Sequence, residues 1–295
     1  MKVIISGGYG FIGKTLVKEL VDLGYEVHLV LNKNRNIDFS DGVKKSYYVD
    51  LSLNDHNFDE EQFDVAIHLA GKTLGADLDA AGYNDANELT LINFLKSTSK
   101  NCRKFIIASS QVVYGDPNSI SISEHFPTDP THSYYGCSKI NSENWARIFQ
   151  SKFGGSYVFL RFTGFIEGGG LIKYLYDKAL SNEPIELFSN GEIIRDYIAL
   201  KDGVNAIILS VQKKFTEGIH PINIGSGQKY TSKQLAELII DNLSSESKVI
   251  TTGKSAPQGN FVFNISKATN LICFRPSGMV SGIIDYINQL RKLDA

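Results

Sequence analysis

Residues 3–13 read Val-Ile-Ile-Ser-Gly-Gly-Tyr-Gly-Phe-Ile-Gly, an apolar run that breaks into glycine and resumes at Ile12, Leu16, Leu20 and Leu23. Three β-branched residues in a row favour a strand buried on both faces. The later apolar spacing is that of a helix with one covered face. Gly8, Gly10 and Gly13 satisfy GxGxxG, and Gly7, Gly10 and Gly13 satisfy the related GxxGxxG. Such a turn needs glycine to bend tightly, to let backbone approach a pyrophosphate, and to pack helix on strand. The helix N-terminus then offers N–H groups and positive dipole to phosphate. Strand, turn and helix follow one another as the motif requires, so Gly7, Gly10, Phe11, Ile12 and Gly13 are read as a dinucleotide-binding turn.

Working outward, short apolar runs recur at Val27–Leu31, Tyr47–Val49, Val65–Leu69, Phe105–Ala108 and Tyr157–Arg161. Helical patterns lie among them, the longest from about Ser133 to Gln150. Near-continuous apolar strands alternating with helices predict an α/β fold, a Rossmann-type doubly wound parallel sheet. Beyond Arg161 the texture changes. Gly168-Gly169-Gly170 is a breaker, Leu171–Ala179 and Ser232–Leu243 read as helices, and Ile222–Ile224 as a strand. A smaller C-terminal α+β lobe is expected. The boundaries read as 1–163 for the dinucleotide domain, with about 193–227 returning to it, and 164–192 plus 228–295 for a substrate lobe.

The 295 residues suffice for such an arrangement, and 42% apolar with 21% charged residues is ordinary for a globular protein. A net charge of −2 gives no basic field for nucleic acid or an anionic membrane, so any phosphate must be held locally. Cys102, Cys137 and Cys273 are odd in number and lack CxxC spacing, which indicates neither a disulfide framework nor a metal site. The first apolar run is too short for a signal-peptide core, no stretch has membrane-spanning length, and the chain reads as cytoplasmic.

A dinucleotide fold usually places Asp or Glu at the end of the second strand, on the adenosine ribose. Here the segment is Leu31-Asn32-Lys33-Asn34-Arg35, without an acid and with two cations. Asn32, Lys33 and Arg35 are therefore assigned to the adenosine end, and NADP is favoured over NAD. The alternative is that Lys33 and Arg35 occupy a solvated loop.

Tyr-x-x-x-Lys occurs three times, as Tyr135/Lys139, Tyr174/Lys178 and Tyr197/Lys201. Four residues is about one helical turn, so each pair would share a face. Only Tyr135 follows a strand ending in Ser109-Ser110-Gln111-Val112-Val113-Tyr114-Gly115, and the carboxyl ends of parallel strands are where such folds bind ligands. Phenol has a pKa near 10. A Lys139 ammonium and an oxidised nicotinamide both favour its anion, so Tyr135 is the candidate acid–base, Lys139 its supporting charge, and Ser110 the group that holds the substrate oxygen.

With these residues assembled, the chain resembles the extended short-chain dehydrogenase/reductase family of nucleotide-sugar epimerases, dehydratases and 4-ketoreductases. The resemblance spans nearly the whole chain. It includes residues 6–13, Asp50-Leu51, His68-Leu69-Ala70-Gly71-Lys72, Ser110 to Gly115, Tyr135-Gly136-Cys137-Ser138-Lys139, Leu160-Arg161-Phe162, Arg195-Asp196-Tyr197, Asn223-Ile224-Gly225-Ser226-Gly227 and Ile265-Ser266-Lys267-Ala268. It implies that Asp50 contacts adenine, that Leu51, Leu69, Ala70, Lys72 and Ser109 line the cofactor together with Tyr135 and Lys139, and that Arg195 binds a substrate diphosphate. Lys72, Ser110, Gln111, Tyr135 and Gly164 complete the implied substrate contacts.

Departures narrow the activity. The family's dehydratases place Asp-Glu after the catalytic hydroxyl, where this chain has Gln111-Val112, and its GDP-fucose synthase-type members place cysteine at Val112. Its epimerases usually have Asn at Gly164 and an Arg in an RxGD-like segment, where this chain has Lys254 and Pro257-Gln258-Gly259-Asn260. The resulting expectation is an NAD(P)-dependent nucleotide-sugar enzyme working at C4, with 4-ketoreductase favoured over 4-epimerase by the cationic loop. A reductase of a non-sugar ketone or aldehyde is the alternative on the same fold, and a non-catalytic cofactor sensor the alternative from another class. The resemblance also implies a homodimer, through the helices near Asn87–Ser99 and Tyr135–Gln150.

Overall fold

The computed structural model describes residues 1–33, 42–53, 61–130 and 132–294. They form two compact units. The first contains Met1–Gly115, Pro127–Arg161 and Val204–Ile222, and the second Asp116–Phe126, Phe162–Gly203 and Asn223–Ala295.

The first unit is built on a seven-stranded sheet. Its strands β1 (Lys2–Ser6), β2 (Glu26–Leu31), β3 (Lys45–Tyr48), β4 (Val65–His68) and β5 (Lys104–Ser110) are joined by Ser156–Phe162 and Gly218–Ile224. The spatial order is Gly218–Ile224, Ser156–Phe162, β5, β4, β1, β2, β3, and the pairs β3–β2, β2–β1, β1–β4 and β4–β5 are parallel. This is the expected Rossmann-type α/β fold. Val3, Ile4 and Ile5 have no exposed surface, and neither have Leu29 and Ile67, because helices cover both faces. Each such side chain contributes about 1.5–3 kcal/mol of apolar burial. Chain order turns back between β1 and β4, and ligands of open α/β sheets bind at that reversal.

Helix α1 (Phe11–Asp22) follows β1 and buries Leu16, Val17 and Leu20. A longer helix, Tyr134–Phe153, begins with Ser133, whose hydroxyl accepts the Gly136 N–H at 3.1 Å.

The second unit carries a four-stranded sheet in the order Tyr230–Thr231, Ile194–Arg195, Phe261–Phe263, Ser119–Ile122. Helices Gly170–Leu180, Ser232–Leu243 and Met279–Asp294 share a core through Ile172, Leu175, Leu235, Ile239 and Ile283. Thr231 and Gln234 close a capping box at the start of Ser232–Leu243. Segment Asp116–Phe126 joins this unit although no sequence signal marks it, because Ser119–Ile122 completes the sheet edge beside Phe261–Phe263. Among the described residues no helix is long and apolar enough to cross a membrane.

Candidate active site

A cleft of about 450 Å³ opens where β1 and β4 diverge, lined by the glycine turn, the ends of β2 to β4 and part of the segment after β4. The turn is held by Gly10 N–H donating to Gly7 O at 2.9 Å. Gly7 has φ +79°, and a Cβ there would stand 2.4 Å from Ala70 N. A Cβ at Gly13 would stand 2.2 Å from Gly7 O. Only glycine allows α1 to start this close to the strand. Gly10, as N-cap of α1, brings no side chain to cap the first turn, so the helix start faces the cleft with backbone and positive dipole. The residues present fit a dinucleotide pyrophosphate.

Of the residues assigned to the cofactor from the sequence, Gly7, Gly10, Asn32, Asp50, Leu51, Leu69, Ala70 and Lys72 line this cleft. Asp50 is oriented by accepting the N–H and hydroxyl of Ser52 at 3.0 and 2.6 Å. Among the described residues, the charged side chains lining the cleft are Asp50, Asp85 and Lys72. Phe11 and Ile12 are in the first turn of α1. Lys33 is exposed and is not among the lining residues. Arg35 lies outside the described residues.

Ser110 ends β5 and is the N-cap of the short turn Gln111–Tyr114, its hydroxyl accepting Val112 N–H at 3.3 Å. Tyr135 stands in the first turn of the long helix, only 8% exposed. Burial pushes its phenol above the ordinary value, a hydrogen bond with Ser110 pulls it back, and the neighbouring Tyr83 phenol pushes further up. Lys139 Nζ stands 5.9 Å from the Tyr135 ring centroid and donates to Ala108 O at 3.1 Å. Burial lowers this lysine to about 8, against the opposing pull of Glu143. The sequence leads one to expect Lys139 to lower the phenol; here burial dominates, and the downward pull comes from Ser110. Near neutral pH the pair is phenol plus ammonium, ready to give a proton. To take one, the phenol needs further positive charge beside it.

Several residues of this neighbourhood escaped the sequence reading. Asn87 accepts Lys72 N–H at 2.7 Å and donates to Lys72 O at 3.2 Å and to Ser138 Oγ at 2.8 Å. It thereby ties the segment after β4 to the Tyr135 helix, whose Ser138 hydroxyl donates to Tyr135 O at 2.8 Å. Asn87 sits in a π-type turn, Asn84–Leu89, of the kind often found at functional sites. No spacing rule links positions 72, 87 and 138. Glu143, one turn beyond Lys139, was legible in principle. It is fully buried and takes Arg161 Nε at 2.9 Å, Arg161 Nη2 at 2.6 Å and Ser109 Oγ at 2.7 Å. The carboxylate holds Arg161 firmly charged, and the guanidinium also reaches Tyr114 OH at 2.8 Å. Ser109, read as a cofactor residue, is part of this network. His68, 3% exposed, bonds Ser6 Oγ through Nδ1 at 2.7 Å and is kept neutral, its pKa lowered by burial to about 3.

The remaining Tyr-x-x-x-Lys pairs behave differently, since Lys178 is bound to Glu183 and Lys201 to Asp285. Gly164 and Arg195 belong to the second unit. A Cβ at Gly164 would stand 3.0 Å from the Tyr197 ring, so Tyr197 occupies the room a larger residue would need. Arg195 donates to the carbonyls of Gly259 and, at 3.1 Å, Gln258. Next to it, buried Asp196 accepts Ser226 N–H at 2.9 Å, Ser226 Oγ at 2.5 Å and Gly227 N–H at 3.2 Å, which fixes that loop.

The family model for NAD dependent epimerases and dehydratases matches residues 3–225. A UDP-glucose 4-epimerase of Cyamopsis tetragonoloba is 30% identical over 269 residues, 77% of this chain and 76% of that protein. The dTDP-4-dehydro-6-deoxyglucose reductase of Escherichia coli is 29% identical over 96% of this chain and 95% of its own. The solved UDP-glucuronic acid 4-epimerase from Bacillus cereus, in complex with UDP-glucuronic acid and NAD, shares the fold with a TM-score of 0.80, 21% identity, and coverage of 98% of this chain and 100% of that one. With its glycine turn, its Ser/Tyr/Lys cluster and this match over most of its length, the chain belongs to the NAD dependent epimerase/dehydratase family and is an enzyme of the extended short-chain dehydrogenase/reductase type.

Proposed function

We propose that this protein is a nucleotide-sugar 4-epimerase that works with NAD. The observation that supports the reaction is the packing of Lys139 Nζ 5.9 Å from the Tyr135 ring, with the Ser110 hydroxyl bonded to the same phenol. When bound, NAD would supply an acceptor that takes the C4 hydride and gives it back to the ketone, and a positive ring that would offset the burial holding the Tyr135 phenol protonated. Tyr135 then takes the C4 hydroxyl proton on its phenolate oxygen and returns it to the oxygen after the ketone has turned over. Ser110 donates to that oxygen and keeps it within reach, and the Lys139 ammonium favours the phenolate form. Gln111-Val112 offers no acid–base pair for water elimination, which argues against a dehydratase.

NAD is preferred to NADP in this reading. The sequence tilt toward NADP, and with it toward a reductase, rests on Lys33 and Arg35. Lys33 is not among the cleft's lining residues, and the described residues bring two carboxylates and one lysine to it. A 2′-phosphate would enter an acidic neighbourhood. Gly7, Gly10 and Gly13 hold the pyrophosphate, Phe11 and Ile12 open the helix above it, and Asp50, Leu51, Leu69, Ala70 and Lys72 surround the rest. The second unit serves as the substrate lobe, with Arg195 as its diphosphate cation, and the chain pairs through the helices near 87–99 and 135–150. Trp145 and Ile148, 39% and 55% exposed on the latter, fit that pairing.

A second reading keeps the site and changes the cycle. The E. coli dTDP-4-dehydro-6-deoxyglucose reductase matches 96% of this chain, which favours a 4-ketoreductase that exchanges its nicotinamide with solvent. Proton NMR of UDP-glucose incubated with the purified protein and no added reductant separates the two. Appearance of UDP-galactose is expected. Its absence, with reduction of a 4-keto sugar nucleotide by added NADH or NADPH, would establish the reductase. Light scattering after size exclusion tests the pairing, and a monomer at micromolar concentration rejects it.

A further inference from the structure

The geometry points to Tyr83 as a positioning residue that sets the Tyr135 phenol with its ring and the cofactor cleft's Lys72 segment with its hydroxyl. The inference rests on the reading above for what Tyr135 does, and on the structure alone for what Tyr83 touches.

Tyr83 is 3% exposed and ends the short helix Ala80–Tyr83, whose N-cap Asp79 accepts Gly82 N–H at 2.8 Å. Immediately after it the backbone widens into the π-type turn that holds Asn87. Its ring lies 5.8 Å from the Tyr135 ring, tilted by 49°. Aromatic pairs at this separation favour a defined mutual orientation over free rotation. Tyr83 is thus part of the wall that keeps water from the phenol, and its own polar end adds to the upward push on Tyr135. At the far end of the ring, the hydroxyl shares its one proton between Thr73 O at 2.9 Å and Leu74 O at 3.1 Å.

Those two carbonyls follow directly on Lys72, whose N–H and C=O are both held by Asn87. The stretch 71–74 is therefore pinned from one helical segment at two points, by Asn87 and by Tyr83. Leu74 is 56% exposed, so apolar burial does little to hold it. Without the Tyr83 hydroxyl, Thr73 O and Leu74 O would keep the N–H groups of Ala76 and Asp77 in their own turn, and the tie from the helical segment to Lys72 and Gly71, both in the cleft wall, would come from Asn87. One side chain thereby links the shape of the cleft to the surroundings of the phenol. A tyrosine that only filled space would need the ring and not the hydroxyl contacts.

Two variants separate the ends of the side chain. Tyr83→Phe keeps the ring and removes the hydroxyl ties. Its NAD dissociation constant, measured by calorimetry, should rise about fivefold, the usual worth of one hydrogen bond, while the Tyr135 phenol, relieved only of the push from the Tyr83 hydroxyl, moves down less than in Tyr83→Leu. Tyr83→Leu keeps bulk and removes the aromatic wall. NMR of isotope-labelled tyrosine, with Tyr135→Phe assigning the signal, should show the phenol titrating at lower pH, because water reaches it through the space left, and kcat should fall about tenfold. Wild-type NAD affinity in Tyr83→Phe, or an unmoved Tyr135 titration in Tyr83→Leu, overturns the assignment. Equal losses in both variants that track folded fraction by circular dichroism also overturn it. Neither NAD binding nor the phenol titration needs a sugar. A wild-type protein that binds NAD yet converts no nucleotide sugar therefore sinks the functional reading and leaves this test intact.

Discussion

Two buried polar groups stand about two turns apart on the helix Tyr134–Phe153, and they are finished differently. Around Glu143 the accounting is closed: Arg161 gives two nitrogens, Ser109 gives its hydroxyl, and Tyr114 takes the remaining arginine donor. Around Tyr135 it is open. The phenol is pushed up by burial, and the Lys139 ammonium, lowered to about 8, donates among the described residues to one backbone carbonyl, Ala108 O, at 3.1 Å. A buried ion pair with a partner on each charged nitrogen and oxygen holds structure together, since breaking it leaves an uncompensated charge. A buried acid and ammonium with bonding capacity to spare can exchange a proton with something that arrives.

The largest effect should come from the open group. Tyr135→Phe is expected to lower kcat by about 10²–10⁴-fold, the usual share of a positioned acid–base, while thermal unfolding moves by no more than about 4 °C. Interconversion of UDP-glucose followed by NMR, paired with a melting curve, checks both halves. If activity survives, the contrast drawn here is wrong at its centre. Arg161→Met tests the closed group, stranding Glu143 in the core at a cost of about 3–5 kcal/mol of stability, read by urea unfolding. A cost under about 1 kcal/mol would mean that Glu143 finds water or another partner, and that the network is not structural.

The smallest effect concerns the charge that passes between the groups. Lys139 is protonated below its lowered value, so activity that needs its ammonium should fall as pH rises through about 8. Glu143 opposes that lowering. Glu143→Gln removes a negative charge, so the alkaline fall should move to lower pH in the fraction that remains folded. A pH profile of kcat, normalised to folded protein by circular dichroism, measures it. An unmoved fall would show the two groups to be electrostatically separate in spite of their spacing.

Legibility in the sequence followed the range of the interaction. The glycine turn was readable because its constraint is local: a strand, a turn too tight for side chains, and a helix start lie within a dozen residues. The seven-stranded order was readable as a class, since near-continuous apolar strands between helices admit few arrangements. Tyr135 and Lys139 were readable because one helical turn places them on one face. The adenosine end was less so. Lys33 and Arg35 carry the right charge for a 2′-phosphate, but Lys33 is absent from the cleft's lining, and charge along a sequence does not say where a side chain points. Asn87 and Tyr83 were invisible for a related reason. Their partners lie at 72–74, 135 and 138, and only folding brings those positions together.

By itself, then, the order of residues determined a dinucleotide-binding α/β protein with a phenol and an ammonium on one helical turn, because these features depend on contacts between near neighbours in the chain. The three-dimensional packing alone decided that burial would hold the phenol protonated and draw the lysine down to about 8, and that Glu143 would be spent on Arg161. The physical reason is that a titratable group's behaviour is set by how much water and which charges surround it. Those surroundings are assembled from segments far apart in the chain, and no local pattern records them.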